Sequence, residues 1–355
     1  MASNRTAGRG ATIYSVAQRA SVSIATVSRV LQGSTAVSEK TRQKVLDAVD
    51  ELNYVPSGAA RSLAVRHHET HGLVLPELGG PYYADLLVGF ETRAAELEQS
   101  VILVLAGTKQ DLGKALRKLT TRVDGLAVLG SVPPNLGRGS KPVVVIAGDP
   151  QPGVEAIGAE NVDSARQLTE HLFEHGRTRL LFIGDTDAAP DLRERYEGFV
   201  AAHRARGLEP SEPVRTPFRE SDGAQFAERL LAGEYDADAL VCGNDELALA
   251  IMARLVDGGV DVPGDIAVVG WDDVMTSRYV RPALTTVRQP VHELGALAAE
   301  RLHQLVTGAS PEAERRVLPT QVVIRSSCGC PPRPAGPARR HTASNPRPST
   351  APPRK

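Results

Sequence analysis

Between residues 68 and 330, short apolar runs alternate with longer segments in which apolar residues recur every three or four positions. This alternation is typical of parallel sheets, because two parallel strands must be joined by a crossover, usually an α-helix. The sequence therefore predicts α/β units throughout this region. Strands are expected at residues 72–75, 101–106, 125–129, 143–147, 180–184, 239–242 and 266–270, and helices near 83–98, 162–175, 192–206 and 245–258.

The composition narrows the class of protein. No apolar run in the sequence approaches the ~18 residues that a membrane helix needs, and residues 1–10 are polar, unlike a secretory signal. Cys242, Cys328 and Cys330 are too few for a disulfide framework. We therefore expect a cytoplasmic protein without membrane contact. Because aromatic residues are only 4% of the chain, its core must consist mainly of Val, Leu, Ile and Ala.

The N-terminal region has a different pattern, which predicts three short helices. Thr12, Ser23 and Ser38 are each placed to cap the start of a helix. The first two predicted helices are separated only by residues 21–23, which is typical of a helix-turn-helix, and the third would support them. The alternative is a small three-helix bundle with no role in DNA binding.

The second of these helices would carry the sequence-reading residues. In a helix-turn-helix, the early residues of the second helix reach base edges in the major groove. Here they are Ile24, Ala25 and Arg29. Arg29 is expected to read a guanine because its fork matches O6 and N7, whereas Ile24 and Ala25 offer only apolar contact, for example to a thymine methyl group.

The net charge of −1 conceals an asymmetry. Residues 1–66 contain nine Lys and Arg against four Asp and Glu, and residues 331–355 contain six basic residues and no acidic one, so the body between them is acidic. A basic terminal unit on an acidic body is typical of a phosphate-binding module joined to a sensor domain. A solvated basic surface is the alternative.

Long ordered motifs resemble the headpiece of lac-repressor family regulators. They are residues 12–17 (TIYSVA), 22–31 (VSIATVSRVL), 37–42 (VSEKTR) and 52–56 (LNYVP). Ser21 departs from the family, which usually has Gly in this turn. The resemblance implies a transcriptional regulator, most often a repressor, that binds double-stranded, near-palindromic operator DNA as a homodimer.

The same resemblance implies where DNA is contacted. Residues 57–63 are too few for an independently stable helix, and the family implies paired hinge helices that form on the operator, with Leu63 as a wedge in the minor groove. An ordinary flexible linker is the alternative. The expected DNA contacts are Thr12, Tyr14, Ser23, Ile24, Ala25, Thr26, Ser28, Arg29, Asn53, Tyr54, Ala60 and Leu63.

The body continues the similarity, through residues 171–176 (HLFEHG), 195–199 (RYEGF), 243–245 (GND), 269–273 (VGWDD) and 284–287 (LTTV). It implies two doubly wound lobes resembling periplasmic sugar-binding proteins, with an effector between them. Family ligand positions fall on Arg195, Asn244 and Asp272, with Tyr82, Tyr83 and Phe218 for packing. A guanidinium, an amide and a carboxylate suit the hydroxyls of a sugar or polyol. Some relatives with charged effectors have Arg where this chain has Ala189, which argues against an anionic effector.

These observations predict a chain with five parts. They are a disordered arm at 1–10, an all-α helix-turn-helix headpiece at 11–56, a hinge helix and linker at 57–67, a two-lobed α/β ligand-binding and dimerisation domain at 68–330, and a disordered, basic, Pro-rich tail at 331–355. The expected function is sequence-specific repression of carbohydrate-utilisation genes, controlled by a sugar-like effector and without a cofactor.

The sequence disfavours two other classes of function. An enzyme is disfavoured because the sequence contains no Gly-x-Ser-x-Gly elbow and no phosphate loop, and His67-His68-Glu69-Thr70-His71 lacks the spacing of a zinc protease helix. Cys328-Gly329-Cys330 lacks a second ligand pair for a tetrahedral site, so no metal is expected. A sugar-transport binding protein would carry a signal peptide and no headpiece, the reverse of the pattern in this chain.

Overall fold

The computed structural model describes residues 11–31, 36–54, 68–107, 109–133, 139, 141–312 and 315–331. The predicted arm at 1–10 and the predicted hinge and linker at 57–67 lie outside the described residues. So does the predicted tail after residue 331. The described part contains a helical N-terminal unit and the two lobes of an α/β body.

The N-terminal unit consists of α1 (Ile13–Ala20), α2 (Ile24–Leu31) and α3 (Glu39–Glu51). The predicted caps are confirmed, because the side-chain oxygens of Thr12, Ser23 and Ser38 each accept a backbone N–H from the first turn of the following helix. Ser21 ends α1 in the left-handed conformation, with φ at 55°. Ser21 occupies the turn position at which the lac-repressor family usually has Gly.

A small apolar core holds the three helices together. Val16, Val27 and Val45, one from each helix, are completely buried, and Tyr54 packs against the same cluster. The polar side chains of α2 therefore remain on its outer face. This arrangement leaves the second helix of the predicted helix-turn-helix available for an external partner.

The body is built from β-strands and helices that alternate along most of the chain. The strands are β1 (Thr70–Leu75), β2 (Ser100–Leu105), β3 (Gly125–Leu129), β4 (Val143–Ile146), β5 (Glu155–Ala159), β6 (Leu180–Ile183), β7 (Ala239–Cys242), β8 (Ala267–Val269), β9 (Thr286–Arg288), β10 (Arg316–Leu318) and β11 (Gln321–Val323). The helices are α4 (Pro81–Glu96), α5 (Lys109–Leu119), α6 (Val162–Glu174), α7 (Pro190–Ala205), α8 (Glu220–Leu231), α9 (Asp245–Asp257) and α10 (Val291–Val306), with a 3₁₀ turn at Met275–Arg278.

Two parallel sheets define the two lobes. In the first lobe the strand order is β10-β5-β4-β3-β1-β2, and in the second it is β6-β7-β8. A short antiparallel pair, β9 with β11, adds to the second lobe. The predicted α/β class and the seven predicted strands are confirmed to within two residues at each end. The prediction missed strands β5, β9, β10 and β11 and helices α5, α8 and α10.

The chain passes between the lobes three times, near Asn161, Gln289 and Thr320. Each passage is a crossover of the backbone between the two sheets, so neither lobe is formed from one continuous segment. The first and third crossovers touch, because Thr320 Oγ1 donates a 3.0 Å hydrogen bond to the carbonyl of Glu160 and lies 2.7 Å from Ser164 Oγ. These segments form the hinge between the lobes.

Candidate ligand cleft and DNA-binding face

A cavity of about 420 Å³ lies between the two lobes. In parallel α/β folds, ligands bind beyond the carboxyl ends of the strands, and the cavity is in that position. The size is that of a pocket for a small molecule. All six residues predicted as ligand contacts line it: Tyr82, Tyr83, Arg195, Phe218, Asn244 and Asp272.

Two tyrosines form the first-lobe wall. Tyr82 and Tyr83 occupy the first turn of α4, which begins with Pro81 after Gly80 at φ +81°, and their rings meet edge to face at 5.6 Å. Burial raises the pKa of both hydroxyls, that of Tyr83 to about 12. Both rings are therefore neutral and can pack against a ligand while their hydroxyls donate or accept hydrogen bonds.

Arg195 is held rigidly on the second-lobe side, with only 6% of its surface exposed. Its Nε donates to Asn161 Oδ1 at 2.9 Å, and its Nη1 donates to the Gly243 carbonyl at 2.7 Å. The guanidinium carbon lies 4.5 Å from the centre of the Trp271 ring, a cation–π contact. The guanidinium thus presents its remaining N–H groups to the cleft from a fixed position.

Asp272 lines the same cavity just after β8, with a left-handed φ of 115°. Gln289 Nε2 donates a 2.6 Å hydrogen bond to its Oδ1. Burial raises the pKa of Asp272 to about 7, and the neighbouring Arg195 charge partly offsets this effect. Near neutral pH the carboxyl group can therefore accept a hydrogen bond from a ligand hydroxyl or donate one to it.

The loop that carries Asp272 is anchored by two buried carboxylates. Asp245 accepts hydrogen bonds from Ser277 Oγ at 2.7 Å and from Thr286 Oγ1 at 2.6 Å. Asp273 accepts from Arg288 at 2.7 Å and also pairs with Arg325. These bonds fix the backbone that follows the cleft carboxylate, so its strained conformation is supported by the surrounding structure.

Asn244 has a structural role in addition to its position on the cavity wall. It caps α9, with Oδ1 accepting from Leu247 N at 3.0 Å, while its Nδ2 donates to the Phe218 carbonyl at 3.4 Å. Both ends of its amide are therefore engaged within the protein. Asn244 therefore shapes the cavity wall and holds Phe218 in place. This structural role was not part of the prediction, which gave Asn244 only as a ligand contact.

The predicted reading residues of the N-terminal unit lie on the surface of α2. Ile24, Ala25 and Arg29 are all exposed, and Ala25 and Arg29 are one helical turn apart on the same face. Arg19 is paired with Glu51 at 2.6 Å. In contrast, Arg29 forms no ion pair with any residue in the described ranges, so its fork is available to an external acceptor.

The other predicted DNA contacts differ in their exposure and in their structural role. Ser23 and Thr26 form the α2 cap, and Asn53 is exposed with a left-handed φ of 44°. Tyr54 is only 9% exposed and belongs to the core of the N-terminal unit, so its ring supports the helices and does not project outward as a DNA contact would. Ala60 and Leu63 lie outside the described residues. Exposed or half-buried positions are found for Thr12, Tyr14 and Ser28.

Comparisons with known proteins agree with this arrangement. A family model for bacterial regulatory proteins of the lacI family matches residues 12–57, and one for a periplasmic binding protein-like domain matches residues 169–328. The HTH-type transcriptional repressor PurR of Aliivibrio salmonicida is 33% identical over 331 residues, covering 89% of this chain and 98% of the relative. The chain belongs to the lacI family.

Solved structures of the lacI family extend the likeness to the whole fold. The lac repressor dimer bound to operator and the anti-inducer ONPF is 27% identical, with a TM-score of 0.82, and the match covers 90% of this chain and 99% of that one. A complex of the regulator CelR with cellobiose is 30% identical, with a TM-score of 0.67, over 89% and 99% of the two chains. This lacI-family chain is therefore a ligand-controlled, DNA-binding transcriptional repressor and not an enzyme.

Several further residues line the cleft of this lacI-family protein and were not predicted from its sequence. Gln289, Asp191, Glu77, Glu246 and Arg219 also line the cavity. No role was predicted for Gln289, and its Oε1 is buried without a hydrogen-bond partner among the described residues. Among the described residues, no helix combines the length and the apolarity needed to cross a membrane.

Proposed function

We propose that this repressor senses a neutral, polyhydroxylated effector, a sugar or related polyol, and controls carbohydrate-utilisation genes in the cytoplasm. The observation that carries the proposal is that Arg195 and Asp272, each held by a hydrogen bond within the protein, line one cavity, since a guanidinium donates hydrogen bonds and a carboxylate accepts them. Paired hydroxyls on a ring can satisfy both groups at once. The aromatic wall of Tyr82 and Tyr83 suits the apolar face of such a ring.

The charges of the cavity support a neutral effector. Four acidic residues line it, and the two basic residues are Arg195 and Arg219. An anion would meet an excess of carboxylates, and Ala189 at the wall supplies no additional cation. The related CelR structure contains cellobiose, which supports a carbohydrate for this chain as well.

The connection from the cleft to DNA would pass through the crossovers between the two lobes. Arg195 is hydrogen-bonded to Asn161 at the first crossover, and Asp272 is hydrogen-bonded to Gln289 at the second. An effector that bridges the lobes would favour one lobe arrangement, and a ligand shifts an equilibrium only through different affinities for the two states. In a homodimer, this shift would change the distance between residues 57–67 of the two subunits, the predicted hinge helix and linker. It would thereby change the affinity for a near-palindromic operator.

The proposal is tested in two steps. A thermal-shift screen compares sugars and polyols with nucleosides and small anions, and a fluorescent operator is then titrated with protein in the presence and absence of each hit. Wild type is compared with Asp272→Ala and with Glu234→Ala, a matched exposed acid of the same lobe. We expect a hydroxylated hit whose effect on operator binding is abolished only by Asp272→Ala. An unchanged response in that variant, or hits confined to anions or nucleosides, would contradict the proposed effector.

A further inference from the structure

Two cysteines and two histidines of the second lobe meet outside the set of residues that line the cleft. Cys328 and Cys330 follow β11, His171 lies on the last turn of α6, and His175 directly follows that helix. The cysteine pair alone is too small for a tetrahedral site, but the fold brings in His171 from 157 positions earlier in the chain. The four potential ligand atoms all lie within 4.8 Å of one another.

The distances match those of a metal centre. His171 Nε2 lies 3.3 Å from Cys328 Sγ and 3.6 Å from Cys330 Sγ, and His175 Nε2 lies 3.2 Å from Cys330 Sγ. With Zn–S bonds of about 2.3 Å and Zn–N bonds of about 2.0–2.1 Å at tetrahedral angles, a nitrogen and a sulfur ligand are about 3.6 Å apart. The three nitrogen–sulfur distances are therefore within a few tenths of an ångström of those expected around a zinc ion.

Local structure explains why these atoms converge. His171 and His175 are four residues apart on a helix, so both imidazoles project from one face, with ring centroids 4.6 Å apart. Gly329 between the cysteines has φ +108°, and a Cβ at that position would contact His175 Nδ1 at 3.4 Å. Glycine therefore permits the left-handed turn that directs both sulfur atoms at the helix.

The surroundings of Cys328 are also those of a ligand. The residue is completely buried, and Thr285 Oγ1 donates a 3.2 Å hydrogen bond to its sulfur. Hydrogen bonds from neighbouring groups orient metal-binding side chains and stabilise them as ligands. A buried sulfur that faces two imidazoles and accepts a hydroxyl donor is suited to bind a cation as the thiolate.

We propose that His171, His175, Cys328 and Cys330 bind one zinc ion in a closed, four-coordinate structural site. Two thiolates and two imidazoles are a donor set for zinc and exclude the oxygen-preferring cations Mg²⁺ and Ca²⁺. Four protein ligands leave no open coordination position, so the ion has a structural role. It would join α6, which follows the first crossover, to the segment after β11, which follows the third crossover, and would fix these two segments against each other.

The test uses the full-length chain, stripped of metal with a chelator and kept reduced with a phosphine. Cobalt(II) is added as the probe, because tetrahedral thiolate-bound cobalt has intense visible bands and a sulfur-to-metal charge-transfer band. We expect these bands to saturate at one cobalt per chain and to disappear when zinc is added. Weak bands of octahedral cobalt, or no binding at all, would overturn the proposal.

Variants locate the site. Cys330→Ser and His175→Asn should each weaken metal binding by more than about 100-fold, since loss of even an outer hydrogen-bonding partner costs about 10- to 100-fold. Cys242→Ala and His68→Ala, which change a cysteine and a histidine outside the cluster, should bind as wild type does. Equal affinity in the wild type and both cluster variants would overturn the assignment.

Folding is monitored so that loss of binding is not mistaken for loss of structure. Circular dichroism should show folded metal-free variants, and zinc should raise the melting temperature of wild type but not of Cys330→Ser or His175→Asn. His175 is exposed, so its substitution tests the site even if Cys330→Ser fails to fold. A zinc-induced rise of equal size in His175→Asn would contradict the proposal.

Discussion

The side-chain amide of Gln289 donates a 2.6 Å hydrogen bond to Asp272, and this bond links the cleft directly to the second crossover between the lobes. Arg195 has a similar connection, through Asn161, to the first crossover. Two of the polar groups that face the cavity are therefore bonded to residues at which the chain changes lobe. A ligand that forms a hydrogen bond with either group therefore also acts on the crossovers between the lobes, without a long chain of intermediate contacts.

Replacing Gln289 with Ala should weaken both effector binding and its effect on operator affinity. Hydrogen bonds to charged groups contribute about 1.5–3 kcal/mol, which corresponds to roughly 10- to 100-fold in effector affinity. Affinity for the operator without effector should change little, because Gln289 lies in the body. Calorimetry with the effector and operator titrations provide the two readouts. Gln167→Ala, at an exposed glutamine, is the control, and an equal loss there would show that the effect is not specific.

Replacing Arg29 with Ala should weaken operator binding by about 1–3 kcal/mol and relax the preference at one guanine. The reason is that its fork has no ion-pair partner in the described ranges and lies on the exposed face of α2. Gel-shift titrations on operators substituted at each position provide the measurement. Arg19→Ala, which removes an arginine already paired with Glu51, should alter affinity without changing base preference. A loss from Arg29→Ala that is uniform over all sequences would assign Arg29 to a phosphate instead.

Stability should decrease as the pH falls from about 6.5 to about 4 because of His71. Burial, and to a lesser extent His303, lowers the pKa of His71 from 6.5 to about 4. The unfolded chain therefore takes up a proton in this range while the folded chain does not, and the lost stability approaches about 3 kcal/mol at the acid end. Urea unfolding at a series of pH values measures the slope. His71→Leu should reduce it, whereas a slope equal to that of wild type would exclude His71 as its source.

The buried pair of Glu155 and Arg301 should be essential to the first lobe. Nε and Nη2 of Arg301 contact the two carboxylate oxygens at 2.5 and 2.8 Å, and Glu155 is completely buried. Glu155→Ala should lower the free energy of unfolding by about 3–5 kcal/mol, because it leaves a buried charge without its partner. Glu312→Ala, at a more exposed acid near the same arginine, should cost much less. Similar losses in the two variants, measured by urea unfolding, would contradict this account.

A homodimer is expected in solution. Met275, at the start of the 3₁₀ turn, and Tyr279, directly after it, are 68% and 72% exposed, and clustered exposed apolar groups commonly mark interfaces. Light scattering at micromolar concentration should give twice the mass of the chain, and Tyr279→Asp should shift the equilibrium toward monomer. Leu208→Asp, at another exposed apolar residue of the second lobe, should not. A stable monomeric wild type would contradict the prediction.

Local patterns were sufficient for much of the fold. Strands such as β3 and β7 were predicted with their observed bounds, because a strand buried on both faces is a continuous apolar run bounded by turn residues. Strands β9, β10 and β11 have only three residues each, too few to show any period. Their positions depend on pairing with distant strands, which composition and spacing do not record.

The site followed the same division. Arg195 and Asp272 were predicted from short motifs that resemble those of the lac-repressor family, and the structure brings both to one cavity. The role of Gln289 and the meeting of His171 with Cys328 are products of tertiary contact. The signal available in the sequence was a pair of histidines one helical turn apart together with a Cys-x-Cys motif, but nothing in either motif indicates that the other lies beside it.

The three crossovers have a consequence for how the chain is made. The edge strand β10 of the first lobe and the strand β11 that completes the second lie at residues 316–323, after almost all of the body. When the first 300 residues have emerged from the ribosome, the first lobe therefore still lacks strand β10, and the second lobe still lacks strand β11. Neither lobe has all its strands until residues 316–323 emerge. The two lobes should therefore complete their folding together, late in translation.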